Sequence, residues 1–275
     1  MLYKLFLILF SLKTATCSCN YEARKLSFKK AKYSIKKEGI MPTCLNESSG
    51  LSKAWQDGYY WTHNDSGGSP ELYMIDSRGY IFDTLAINNA NNYDWEDLAK
   101  DNVGNIYVGD FGNNSNSRKD LVIYKRSHEQ VEQITFTYPD QTFTENESRI
   151  FDCEAFFWSN NSLYLVTKSW EKGVKHSRMY VLPDTLGHHT AKLVGNLDVK
   201  AQITGADISP NGKRFALISY GKVLLFNIIN GNIDFSNPEK CIKIAKGQTE
   251  AIVFENDQKL VFTNENRRIY SINLN

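Results

Sequence analysis

EDLAKDNVGNIYVGDFGNNSNSRKDLVIYKR, residues 96–126, decides the fold. It opens on two acidic residues and an apolar one, Glu96-Asp97-Leu98, then turns at 102–105 and continues as two apolar runs, IYVGDFG and LVIYKR. Asn and Gly tolerate positive φ, so the turn has a mechanism. The β-branched and aromatic residues of the two runs suit a pleated sheet. The same order recurs four more times. The opening motif returns as Ser49-Gly50-Leu51, Glu154-Ala155-Phe156, Ala206-Asp207-Ile208 and Glu250-Ala251-Ile252. Turns follow at Asp57-Gly58, Asn160-Asn161, Pro210-Asn211-Gly212 and Asn256-Asp257, and each leads into a pair of strand-like runs. A repeat of this length in a β-rich chain is propeller spacing.

A fourth, outer strand can be placed in four units, at 81–87, 134–138, 191–197 and 241–245. The fifth unit stops after its third strand, which would leave an open edge. Tyr33-Ser34-Ile35-Lys36-Lys37, ahead of the first motif, can supply the missing strand. The expectation is an all-β protein, a five-bladed β-propeller closed by an N-terminal strand, over residues 33–275. No sustained helical period competes with it.

Composition agrees. The 275 residues carry 32 Lys and Arg against 31 Asp and Glu, a net charge of +1, which argues against a nucleic-acid partner. With 41% hydrophobic and 23% charged residues the chain is globular, and the length suits a single large domain, expected to be monomeric.

The chain begins MLYKLFLILFSLKTATCSC. A lysine, a short apolar stretch and small residues read as an export signal over 1–19, with a basic linker over 20–32. The segment is too short for a mature membrane span. Cys17 and Cys19 are placed as in a bacterial lipoprotein, so membrane contact is expected only through a lipid anchor, and the location is the cell envelope or the exterior. Cys44, Cys153 and Cys241 are widely spaced without a CxxC, and read as small buried residues rather than a disulfide framework.

Function is sought where the repeat converges. The first strand of each propeller blade lines the central channel. The motif position therefore aims Ser49, Glu96, Glu154, Ala206 and Glu250 at one axis. Three carboxylates so placed repel one another unless protonated or joined by a cation. An all-oxygen set suits Ca²⁺, with Ser49, Glu96, Glu154 and Glu250 as ligands. The competing reading is a polar, water-filled channel. The second strands end at one mouth, where a ligand of unknown identity is expected to bind. This rim carries His63, Asn64, Asp65, Asp110, Asn113, Lys168, Trp170 and Tyr220. As catalytic candidates, Asp65 or Asp110 would activate water and Lys168 would neutralise an anion. Alternatively the Asp and Asn residues hold tight turns, and Lys168 is a solvated charge.

Two resemblances bear on this. The series Ser, Glu, Glu, blank, Glu resembles the calcium-activated apyrases, secreted five-bladed nucleotidases with one axial Ca²⁺. In that family the fourth position is Ser, where Ala206 stands here, and its Asp-Asp-Arg-Thr-Gly signature is replaced by His63-Asn64-Asp65-Ser66-Gly67. The segments WTHNDSGGSPELYMID (61–76) and NANNYDWEDLAKDNVGNIYVGDFGNN (89–114) look like a family of exported β-propeller proteins common in Bacteroidetes. That likeness implies fold and export rather than chemistry. The leading expectation is an exported, metal-stabilised binding or scaffold propeller. The apyrase likeness implies instead a calcium-dependent hydrolase of nucleotides or phosphate esters. A third reading is glycan binding, with Trp61, Trp170 and Tyr220 as stacking platforms; against it, Trp61, like Trp95 and Trp158, lies in or next to a strand and reads as core.

Overall fold

Residues 33–128, 130–144, 149–168, 177–197 and 201–274 are described by a computed structural model. The leader, the linker, Cys17, Cys19 and Trp170 lie outside them. Five antiparallel sheets form a five-bladed β-propeller. The first blade runs outward through Ser48–Lys53, Tyr59–Asn64, Glu71–Asp76 and Ile81–Ala86. The second comprises Trp95–Lys100, Ile106–Asp110, Val122–Ser127 and Gln130–Thr137, and the third Asp152–Ser159, Ser162–Lys168, Ser177–Pro183 and Lys192–Leu197. The fourth holds Ile203–Ile208, Arg214–Ser219, Lys222–Ile229 and Lys240–Lys243. The fifth holds Thr249–Asn256, Lys259–Asn264 and Arg268–Asn273, and its outer strand is the N-terminal Ile35–Ile40, antiparallel to Arg268–Asn273. The closing strand therefore comes from the expected segment but runs three residues further than 33–37.

Local sequence explains the hairpins. Asn160 and Asn161, both at positive φ (48° and 58°), form the two-residue link between Ser159 and Ser162. Two such residues in succession give the turn whose twist matches that of its strands. One connection was not foreseen. Gly187–Thr190, between the third and fourth strands of the third blade, pairs in parallel with Gln130–Thr137 and so adds a strand to the second blade.

The core consists of five clusters, one between each pair of neighbouring blades. Side chains alternate across a strand, so each middle strand feeds two interfaces. Phe215 and Leu217 pack toward the third blade, while Ala216 and Ile218 pack toward the fifth. Phe157, Phe215 and Phe226 stack in series, with ring centroids 5.2 and 4.4 Å apart. Burial on both faces is why these runs read as continuously apolar rather than alternating. Trp61, a proposed glycan platform, is one of these core residues and is 1% exposed, so it cannot stack on a ligand. Of the three cysteines expected to be small buried residues, Cys153 is a buried free thiol, Cys44 is a free thiol but exposed, and Cys241 is buried yet disulfide-bonded.

Every inner strand is irregular at the repeated motif. Pairing slips between Ser48 and Leu51, Trp95 and Asp97, Cys153 and Ala155, Ile203 and Gly205, and Thr249 and Ile252. Such bulges re-aim side chains. Just past them the channel is filled. Gly50, Ala155, Gly205 and Ala251 offer little or no side chain there, and neighbouring backbones approach closely. A Cβ on Gly205 would lie 2.6 Å from the carbonyl oxygen of Glu250. Asp97 is the exception. Its carboxylate accepts hydrogen bonds from the backbone amides of Leu98 (2.8 Å), Phe156 (3.2 Å) and Ala206 (3.0 Å), joining three blades.

Removing that carboxylate orphans buried amides, each worth about 1–3 kcal/mol. Asp97→Ala is therefore expected to lower unfolding free energy in denaturant titration by about 3 kcal/mol or more. Asp97→Asn, which keeps one acceptor, should lose less. An Ala variant as stable as the parent would show that the three-blade link carries nothing.

Candidate functional site at the channel mouth

The bulges define which residues truly correspond. Ser49, Glu96, Glu154, Thr204 and Glu250 occupy the slip in the five inner strands. The fourth position is thus Thr204, not Ala206. Ala206 lies two residues further along and donates its amide to Asp97. Asp207 accepts from the amide of Phe254 at 2.7 Å, tying the fourth blade to the fifth. The Thr204 hydroxyl donates to the carbonyl of Thr249 at 2.6 Å and keeps its lone pairs. All five positions consequently carry an oxygen-bearing side chain.

Above this ring, carboxylates from three blades gather. Ligand oxygens of Asp65, Asp94 and Glu96 lie within 4.8 Å of one another, and so do those of Glu96, Asp152 and Glu154. Glu96 belongs to both groups. Asp65 stands at the end of a second strand, while Asp94 and Asp152 each precede a motif glutamate by two residues. Asp94 and Asp152 lie outside the repeated motif, and the signal that marks them in the sequence is the spacing Asp-X-Glu, repeated at 94–96 and 152–154. Asp152 also accepts the amide of Asn113 at 2.7 Å, which fixes its orientation.

One cation is built in. Lys168 is 4% exposed, and its Nζ lies 2.9 Å from Glu154 Oε1 and 5.5 Å from the ring centre of Tyr220. Burial alone would pull its pKa down. The charges of Glu154 and, more distantly, Glu250 outweigh that and hold the ammonium firmly protonated. Tyr220 hydrogen-bonds Glu250, which also pairs with Glu265. Lys168 therefore neutralises Glu154 directly and serves Glu250 at longer range. Among the described residues, no ion pair reaches Asp65, Asp94 or Glu96.

Electrostatics follow from this imbalance. Burial, with the nearby charges of Asp65 and Asp152, pushes Asp94 up to about 6. Burial drives Glu250 up to about 8 against the pull of Lys168. Glu96 is raised well above the ordinary range by burial and by Glu154. Hard oxygen donors gathered in this way form a set that could hold a metal ion.

The remaining rim residues divide. Asp110 stands apart from the carboxylate groups. Its oxygens accept the amides of Asp94 (3.1 Å) and Tyr93 (3.4 Å), and it pairs with Arg118 at 2.9 Å. It holds the loop that presents Asp94. Asn113 accepts from the amide of Arg118, and Asn64 donates to the carbonyl of Cys44. His63 is fully buried edge-on to Trp95; burial lowers its pKa to about 4, so it is neutral. Ser49 is buried at the ring position of the first blade.

Fold and mouth together define a five-bladed propeller with an acidic, lysine-bearing channel entrance. No protein-family model matches the chain, and no curated protein sequence matches it. Among solved structures, the chain is similar to a gluconolactonase from Xanthomonas campestris, with a TM-score of 0.51 and 10% identity. That alignment covers 94% of this chain and 100% of the other, and shows a shared propeller fold. A chain of a mitotic checkpoint complex aligns at a TM-score of 0.44 with 13% identity, over 81% of this chain and 60% of that one.

Acids whose folded pKa is raised bind more protons in the native state. Their contribution is complete below the unfolded pKa and is lost as pH rises through the folded value. His63 has the opposite sign, and its effect is confined below about pH 6.5. Between pH 6.5 and 8.5, in chelator, Tm is therefore expected to fall, and Glu250→Gln should flatten the slope. A Tm that rises over this interval would contradict the acid assignments.

Proposed function

We propose that this protein is an exported, divalent-cation-binding propeller of the cell envelope. Ca²⁺ is the ion its donors suit, and it stabilises the ring as a binding or scaffold module. The observation that carries the reading is the convergence of Asp65 from the first blade with Asp94 and Glu96 from the second, within 4.8 Å. No ammonium or guanidinium among the described residues pairs with that trio. Glu154 has Lys168 for a counter-charge, so the cation is drawn toward the first and second blades rather than to the centre of the ring. Held there, it would staple two blades whose inner strands are adjacent. The signal-like leader supports export, and a lipid on Cys17 or Cys19 would attach the module to a membrane.

A second reading is hydrolysis of phosphate esters or nucleotides. Two observations favour it. Asp65 and Asp94 are only half-buried, so a bound cation would keep positions facing the mouth, as metal-assisted hydrolysis requires. The ring Ser49, Glu96, Glu154, Thr204, Glu250 also carries a hydroxyl at the fourth position, where the apyrases have Ser. In that reading Lys168 steadies an anionic group at the mouth, and Asp65 or Asp94 accepts a proton from water.

Calcium is expected to raise Tm at pH 8 by several degrees over a chelated sample. The gain should vanish in Glu96→Gln and Asp94→Asn and persist in Glu250→Gln. Equal loss in Glu250→Gln would instead place the ion on the full ring with Ser49 and Glu154. Identical melting with and without Ca²⁺, Mg²⁺ or Mn²⁺ would remove the cation. Phosphate release from nucleoside diphosphates, abolished by Glu96→Gln, would establish the hydrolase; its absence leaves the scaffold.

A further inference from the structure

A second polar site lies on the same face of the ring, outward from the mouth in the fifth blade. A cavity of about 260 Å³ opens between the loop 245–247 and the turn 264–268. Its position follows from topology: the loop enters the inner strand of the fifth blade where that strand pairs with Asn264, at the mouth end. Its wall is basic and amide-rich, with Lys246, Arg268, Asn264 and Asn266 around Gly247.

The geometry points to a binding site for a small oxyanion, the phosphate group of a ligand. Four features support it. The two cations have no carboxylate partner in any ion pair among the described residues. Lys246 lies with Nζ 5.4 Å from the ring centre of Tyr270, which forms one wall and fixes the ammonium over the cavity. The amides converge: a Cβ on Gly247 would sit 3.9 Å from Asn266 Nδ2 and 4.0 Å from Asn264 Nδ2. Gly247 has φ of 80°, a conformation that favours glycine and keeps this floor bare. Finally, the wall is held in place by its own backbone. Asn264 Nδ2 donates to the carbonyl of Lys246 at 2.6 Å, and Asn264 Oδ1 accepts from the amide of Arg268 at 3.1 Å. One side chain thereby ties both cation-bearing segments together.

The acid beside the wall in the chain, Glu265, does not cancel this charge. Glu265 turns its carboxyl to Gln248 and Glu250. Two cations and the side-chain amide of Asn266 at one bare floor, with Asn264 bracing the wall behind them, are the complement of a tetrahedral oxyanion, because charge-assisted donors bind such oxygens most strongly. An apolar ligand would have to strip these groups of water without return. The site is independent of the cation at the mouth and stands without it.

Calorimetric titration of the full chain with pyrophosphate, in chelator, tests the assignment. Saturable binding is expected, weakened about tenfold in Lys246→Gln and in Arg268→Gln. Both residues reach solvent, so melting curves without ligand should match the parent; a variant that melts lower is replaced by Asn266→Ala, with the same expected loss. Retention of the protein by phosphatidylglycerol vesicles, lost in the same variants, would identify a lipid headgroup as the source of the phosphate. Pyrophosphate binding without vesicle retention would identify a soluble compound. Binding that is absent in chelator, appears when Ca²⁺ replaces it, disappears in Glu96→Gln and survives Lys246→Gln and Arg268→Gln would overturn this site while leaving the cation reading intact. Absence of saturable binding to pyrophosphate and to vesicles would overturn it outright.

Discussion

The carboxylate of Asp97 is the contact on which the centre of the molecule depends. Inner strands of a propeller have one edge with no strand to pair with, and their amides face a narrow channel. Asp97 answers three of these donors at once and draws the second, third and fourth blades to a common point. Asp207 repeats the device toward the fifth blade through Phe254. The small residues at the same level allow that approach, since a larger side chain at Gly50 or Gly205 would strike neighbouring backbone. With the centre filled, the channel is a cup rather than a tube, and whatever enters from the acidic mouth meets a floor.

That floor explains why the carboxylates are unusual. Glu96, Glu154, Asp152, Asp94 and Asp65 are stacked over a plug that holds a further carboxyl, Asp97, which burial raises well above its ordinary range, so acidic groups accumulate where water is restricted. Lys168 relieves one side of the cup. On the other side no ion pair among the described residues reaches Asp65, Asp94 or Glu96, and Arg118 and Lys168 act on Asp94 and Asp65 only at a distance. The chain has distributed its counter-charges unevenly, and this asymmetry gives the site a preferred corner.

Much of the architecture was legible from the repeat, because every blade buries both faces and therefore keeps the same apolar strand runs. The closing strand was legible for a different reason: an unfinished fifth unit demanded one. The fourth inner strand was misaligned by two residues. An acidic residue, Asp207, imitated the motif, while the true counterpart, Thr204, is uncharged. Pairing registers expose the difference and composition does not, because a bulge shifts the count along one strand without altering residue types. Asp94 and Asp152 are not legible from the repeat because each sits just outside the motif, and only the inward turn of the chain at the mouth brings them beside Glu96. Asp110, by contrast, has the residue type and position of a rim ligand, but Arg118 and two amides occupy it. The basic pocket was invisible in advance, since Lys246 and Arg268 are far apart in the chain and meet only through Asn264.

The outermost strand of the fifth blade belongs to the beginning of the chain, while the three strands it covers belong to its end. Ile35 lies opposite Ile272, so this pairing closes a loop that takes in nearly the whole polypeptide. Contacts that span so much chain form late and slowly. During synthesis the first blades therefore emerge before the partner that seals the ring exists. The seam is the latch of an all-or-none assembly: until it shuts, the last sheet presents an unguarded border, and once shut, no single blade can leave without opening the whole circle.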